Sequence, residues 1–279
     1  MPKPKKIILA IIDLMKSLFF LSHLNQNELQ GLISPLSKLR FMPYSRVRVP
    51  YYLGRTVRGV SFDNNLMLDP AARMCKDIFE NVDHAITKAN LLKVFDQQKD
   101  MNAADIVHLS NNVKLKNYPA WAIVMPWEKL NIKDIFESYP ETFYKNRTSQ
   151  GLLFKENSRL SIIDVMYSPK FAENRVNQMK KLYKNIKYNG FIQDYNFPKI
   201  NILIKENEWR WFMGDAGNHR SYVFYFLGHK SFNARVSTII NKKDVNNWHN
   251  VKNGIYSIED AENIFDSYFD GCKTFRGMV

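Results

Sequence analysis

The residues best suited to chemistry lie close together, at Gly214-Asp215-Ala216-Gly217-Asn218-His219-Arg220. Glycines at 214 and 217 allow a tight turn and close approach of the backbone to a ligand. Arg220 carries a planar cationic fork that matches phosphate. His219 supplies a donor, or a group that moves a proton near neutral pH. This set of residues fits an anion, above all a phosphate group. The plainer alternative is a capped helix start with a solvated arginine.

A strand and a helix must hold that turn. Trp209-Arg210-Trp211-Phe212-Met213 has the aromatic and apolar character of a strand. Ser221 to Leu227 reads as a short apolar helix closed by Gly228. His219 and Arg220 therefore fall on a first helical turn, where free N–H groups and the positive end of the helix dipole favour an anion.

The chain has 279 residues, 45% of them apolar and 14% aromatic, enough for one large domain or two small ones with a sizeable core, which excludes a disordered protein. Its net charge of +13 suits an acidic partner: nucleic acid, an anionic membrane surface or a phosphorylated small molecule. The same charge also fits a chain simply rich in lysine. Cys75 and Cys272 are far apart and lack metal-ligand spacing, so neither a structural zinc nor a disulfide framework is expected, and a reducing cytoplasm is the simplest setting.

Along the chain, Ile7–Leu21 reads as an amphipathic helix after Lys3, Lys5 and Lys6. Asp13 and Lys16 interrupt it as a membrane span. It packs on its own domain or lies on an anionic membrane. Leu36 to Arg58 is one-sidedly basic, with tyrosines interleaved and Pro43, Pro50 and Gly54 breaking it into loops and short strands. Such residues bind phosphate groups or stack bases, or form a solvated basic face with the tyrosines packed inward. Pro70–Phe95 is helical by spacing, and Asn102 caps a further short helix. Trp121–Met125 is expected as a short buried strand before Pro126, Lys133–Tyr139 as a short helix, and Tyr144–Leu153 as a polar turn.

A boundary is expected near Leu153 to Arg159. After it follow a strand at Leu160–Val165, a basic amphipathic helix at Lys170–Tyr188 ended by Asn189-Gly190, strands at Ile200–Ile204 and Glu208–Met213, the glycine turn and its helix, and a strand at Phe232–Ile240. Ser257 caps a docking helix that runs to Phe269 and buries Ala261, Ile264, Phe265 and Tyr268. The mixed order of strands and helices predicts an α+β fold.

This order, with Gly217-Asn218-His219-Arg220 opening a helix and Leu227-Gly228-His229-Lys230 leading to a strand through Ala234-Arg235-Val236, resembles the ParB/sulfiredoxin fold over about residues 158–240. The resemblance implies a small mixed sheet with helices at 156–240, preceded by a mostly helical region at 1–155 and followed by a helical extension at 241–279. In that fold the Gly-X-His-Arg turn holds nucleotide phosphates. Gly217, Asn218, His219, Arg220 and Ser221 would then bind the cofactor. DNA-clamping partition proteins carry Gly-Glu-Arg-Arg there, and sulfiredoxin carries a reactive cysteine where this chain has Asn218. The free serine kinase of the fold, with Gly-His-His-Arg, is more similar.

A longer stretch, from Pro119-Ala120-Trp121-Ala122 and Pro126-Trp127-Glu128 to Asp244-Val245-Asn246-Asn247-Trp248 and Phe269-Asp270-Gly271, resembles ParB-domain proteins encoded among bacterial surface-polysaccharide genes.

The resemblance thus implies ATP, Mg²⁺ and phosphoryl transfer to a small hydroxyl-bearing or sugar acceptor. Asp215 would hold the metal or only bond within its turn. Asp164 or Glu173 would act as base, and His219 would polarise a phosphate oxygen. Lys242, Lys243, Trp248 and His249 would cover a pocket or bind substrate. The protein would be cytoplasmic, or peripheral at the inner face of the membrane through its N-terminal helix. A ParB-like DNA-binding or nuclease protein and a non-catalytic anion-binding scaffold are the alternatives. No helix-turn-helix pattern or dense acidic cluster supports nucleic acid as the partner.

Overall fold

A computed structural model describes residues 46–63, 66–149, 165, 168–190, 197–214 and 216–272. Its centre is a five-stranded sheet built from β1 (Arg46–Pro50), β2 (Gly54–Arg55), β3 (Lys199–Lys205), β4 (Glu208–Met213) and β5 (Ser231–Asn241). The spatial order is β1-β5-β3-β4-β2. β3 runs antiparallel to β4 and parallel to β5; β1 is antiparallel to β5, and β2 is parallel to β4. The fold is thus mixed α+β. The sheet takes two strands from residues 46–55 as well as three from residues 199–241.

Helices cover both faces. They are α1 (Pro70–Phe79), α2 (His84–Gln98), α3 (Ala103–Ile106), α4 (Val113–Lys116), α5 (Ile132–Ser149), α6 (Pro169–Asn189), α7 (Asn218–Phe226), α8 (His249–Lys252) and α9 (Ile258–Asp270). Strand β3 shows why both faces need cover. Ile200, Ile202 and Ile204 pack with α1, α6 and α7, whereas Leu203 joins Phe212, Ile240 and the α9 residues Ile264 and Phe265 on the other side. Alternate residues of a strand point to opposite faces, so one apolar run serves two cores.

Local signals place most helix ends. Asp69, Asp83, Asn102, Ser168 and Ser257 each cap the helix that follows with a side-chain oxygen. Gly190 closes α6 at φ 66°. Asp69 also accepts the Tyr222 hydroxyl at 3.0 Å, which ties the start of α1 to the middle of α7. Both residues are buried, and burial, then the Asp69 carboxylate, raises the Tyr222 phenol. Tyr222→Phe is expected to cost about 1–2 kcal/mol, because a buried carboxylate loses its donor. A lower midpoint in urea at unchanged slope would register it.

Several local expectations need correction or fall outside the described residues. Trp121–Met125 is not a strand: Ala120–Ala122 forms a 3-10 turn, with the Ala122 N–H donating to the Pro119 carbonyl at 2.9 Å. Prolines at both ends bend the run before alternation develops. Helix α5 does not stop at Tyr139 but continues through Pro140 to Ser149, so Tyr144–Ser149 is helix, not turn. Trp121 stacks on Phe136 and Tyr139 at 5.6 and 5.5 Å, which holds the turn before Pro140 in place. The strand expected at 160–165 lies outside the described residues except for Val165, which is helical. The N-terminal helix and the basic residues Lys38 and Arg40 also lie outside them. Among the described residues no helix is long and apolar enough to cross a membrane.

Candidate functional site

The glycine turn is pinned to the start of β3. The Gly214 N–H donates to the Lys199 carbonyl and the Lys199 N–H to the Ala216 carbonyl, each at 2.8 Å. Gly217 then adopts φ 96°, ψ 4° and lies so close to β3 that a Cβ there would meet Pro198 Cα at 2.5 Å. A left-handed residue at this spot redirects the chain from β4 into α7 and lets the two backbones touch. As N-cap, Gly217 brings no side chain to cap the first turn of α7. The amides of Asn218, His219 and Arg220 thus open the helix without a side-chain acceptor from the cap.

Packing fixes the direction of that helix. Tyr51 Oη donates to the Ser221 carbonyl at 2.7 Å, and Tyr222, Val223 and Phe224 are buried against the sheet. Asn218, His219 and Arg220 remain partly exposed. Asn218 Oδ1 is buried and has no hydrogen-bond partner among the described residues. Partial burial lowers the Arg220 guanidinium from its usual value, yet an arginine keeps its charge at neutral pH. Ser221 differs from its neighbours. It is fully buried, and its hydroxyl donates to the Gly217 carbonyl at 3.3 Å, so it supports the turn instead of lining its open side.

The carboxylates named from the sequence do not gather at the turn. Asp164 and Asp215 lie outside the described residues. Glu173 stands on α6, where its carboxylate accepts from Lys88 at 3.0 Å and contacts His84 Nε2 at 2.5 Å. Asn177 also donates to it. The hydrogen bonds from Lys88 and His84 hold its carboxyl below the usual range, which makes it a weaker base. These partners come from α2 and from its own helix, none from the described residues of the turn.

Strand register adds cations that the sequence order does not suggest. Arg46 of β1 and Lys199 of β3 are both Cα partners of Arg235 of β5. The Arg235 N–H donates to the carbonyl of Pro198, the residue against which Gly217 packs. Three basic positions therefore cross the sheet side by side where the turn meets it. Only the pairing of strands far apart in sequence reveals them.

The other basic and aromatic candidates serve the framework. Arg55 is buried and donates to the carbonyls of Gly54, Tyr268 and Phe269. Arg48 donates to Ser231 Oγ, and Tyr51 is buried, although Tyr52 is exposed. The basic stretch is thus divided between core and surface. Lys242 binds Asp266 at 2.6 Å, and Trp248 is buried against Trp127 and Phe265. Neither covers a pocket at the turn. A shallow hollow between α1 and α2, lined by Arg73, Met74, Asp77 and Asn90 among others, includes none of the turn residues.

No family model matches this chain, and no curated protein or solved structure matches it either.

Proposed function

We propose that this chain is a nucleotide-binding protein of the ParB/sulfiredoxin type, with the phosphates of ATP seated at the mouth of α7. The observation that carries this reading is the left-handed Gly217, pressed on Pro198, in front of a first helical turn that has no side-chain cap. The amides of Asn218, His219 and Arg220 would donate to a phosphate, and the Arg220 guanidinium would take a second oxygen. His219 would donate to the same group. The buried Oδ1 of Asn218 would accept from a hydroxyl of the nucleotide or of the acceptor.

The reaction would be transfer of the terminal phosphoryl group to a small hydroxyl-bearing or sugar acceptor in cell-surface polysaccharide synthesis. Mg²⁺ would enter with the nucleotide, and Asp215 is its proposed protein ligand. With Glu173 held by Lys88 and His84, Asp164 is the better of the two proposed bases.

Thermal unfolding tests the site directly. At a hundredfold excess over Kd, ATP with Mg²⁺ adds about 2.7 kcal/mol, which for a chain of this size raises Tm by roughly 5 °C. Arg220→Ala should lose most of that rise, measured against the variant's own Tm without nucleotide. No rise with millimolar ATP would remove the site, and a rise that survives Arg220→Ala would place it elsewhere.

A further inference from the structure

Helices α2 and α6 meet at a cluster of side chains that phosphoryl transfer at the turn does not use. His84 of α2 lies between two residues of α6. Its Nε2 contacts Glu173 Oε1 at 2.5 Å, and its Nδ1 contacts Lys180 Nζ at 3.1 Å. Lys88 donates to Glu173 Oε2 at 3.0 Å, and Asn177 donates to Oε1 at 3.2 Å. All four groups of the cluster, His84, Lys88, Glu173 and Lys180, are partly exposed, so a small solute can reach them.

The contacts fix the protons. An ammonium group only donates, so His84 Nδ1 must accept from Lys180. The single ring proton is then on Nε2, where it is donated to Glu173. The imidazole is thus uncharged, with its basic nitrogen against the amine. Hydrogen bonds from Lys88 and then from His84 hold the Glu173 carboxyl below its usual range, so it remains an anion behind the ring. A clasp between the two helices needs only the contacts to Glu173. The further contact to Lys180 completes a different pattern: a nucleophile within reach of a base, and the base oriented by a third group. A proton that passes from Lys180 to His84 carries its positive charge to the ring that touches Glu173.

We propose that Lys180 is a reactive amine and the preferred site on α6 for acylation by small acyl phosphates, with His84 as its base and Glu173 orienting the ring. The Lys180 ammonium gives one proton to His84 Nδ1. The free amine attacks the acyl carbon, and a C–N bond forms as the C–O bond to phosphate breaks. Phosphate leaves with that electron pair and takes the second amine proton, and His84 returns the first to water. The product is an amide, and nothing is oxidised or reduced. Charge selects the donor. Helix α6 carries Lys170, Arg175, Lys180, Lys181, Lys184 and Lys187 against the single acid Glu173, which draws an anionic acyl phosphate to it. The site is independent of nucleotide binding at the turn.

Acetyl phosphate added to the full chain tests this, with each lysine followed by peptide mass spectrometry. In the folded protein Lys180 should be acetylated roughly tenfold faster than Lys181 and Lys184. Those two are exposed on the same helix and have no imidazole partner among the described residues. In urea the three should react at one rate. His84→Gln and Glu173→Gln, each shown folded by its urea transition, should bring Lys180 down toward its neighbours and leave Lys181 and Lys184 unchanged. With the neutral N-hydroxysuccinimide ester of acetic acid the dependence on His84 should remain, but the slowing by salt seen with acetyl phosphate should not. If Lys180 reacts no faster than Lys181 and Lys184 in the folded parent, the proposal fails whatever the variants do. A preference that survives His84→Gln in the folded protein would also overturn it. An acetyl phosphate rate that salt does not lower would overturn the choice of donor.

Discussion

Arg55→Leu is expected to lower stability by about 3–5 kcal/mol, near the upper end of what one substitution costs a folded domain. Arg55 is 5% exposed, and its guanidinium donates through Nε to the Tyr268 carbonyl at 3.2 Å, through Nη1 to the Gly54 carbonyl at 2.8 Å and through Nη2 to the Phe269 carbonyl at 2.7 Å. Tyr268 and Phe269 belong to the last turn of α9, whose carbonyls have no partner within the helix. Arg55 therefore caps α9 from more than 200 residues away, and its charge opposes the negative end of the helix dipole.

Burial, then the neighbouring Arg210, lowers the Arg55 guanidinium to about 10, so holding this charge inside has a cost. Buried carboxylate–guanidinium pairs are often replaced by apolar residues with little loss, because both charges leave together. Here the partners are backbone carbonyls that leucine cannot remove. They would stay buried without donors, at about 1–3 kcal/mol each. Arg55→Lys should recover only part of the loss, since an ammonium cannot span three carbonyls. Urea unfolding reads both variants, and hydrogen exchange should show amides in the last turn of α9 opening first. A loss below about 1 kcal/mol for Arg55→Leu would mean that water replaces the guanidinium and that the cap is dispensable.

That contact also marks where sequence reading ends. From β3 to β5 each element depends on its neighbours. Apolar alternation in Lys199–Lys205, the turn at Glu206 and Asn207, and glycine at 217 and 228 all act within a few residues, so the order strand, strand, turn, helix, strand is readable from the chain. The caps at Asn102 and Ser257 are readable for the same reason. Arg55 is different. Its basic neighbours suggest a phosphate-binding face, and only the arrival of α9 shows that it is a capping group. Trp248 looks like a pocket-covering residue until its packing on Trp127 at 5.4 Å is seen. The row Arg46, Arg235 and Lys199 depends on strand register, which no local pattern specifies. Pro140 misleads in the other direction. It reads as a helix end, but the loss of one backbone bond leaves α5 intact.

Gly217→Ala is expected to cost about 2–4 kcal/mol and to abolish any response to ATP. Two separate effects contribute. At φ 96° an L side chain is strained by about 1–2 kcal/mol. The new Cβ would also lie 2.5 Å from Pro198 Cα, a backbone atom that cannot swing away. Either the turn lifts from β3 or β3 moves, and the Lys199 N–H bond to the Ala216 carbonyl at 2.8 Å resists both.

Gly228 separates the two effects. It has φ 87°, but a Cβ there would meet nothing within 4 Å. Gly228→Ala should therefore show the strain alone, about 1–2 kcal/mol, and keep the rise in Tm with ATP and Mg²⁺. The difference between the two variants measures the close approach of the turn to β3. Because the amides of Asn218, His219 and Arg220 follow directly, a displaced turn moves the donors to any bound phosphate. If Gly217→Ala kept the full response to ATP, those amides would not be the phosphate site, even if the protein lost the predicted stability.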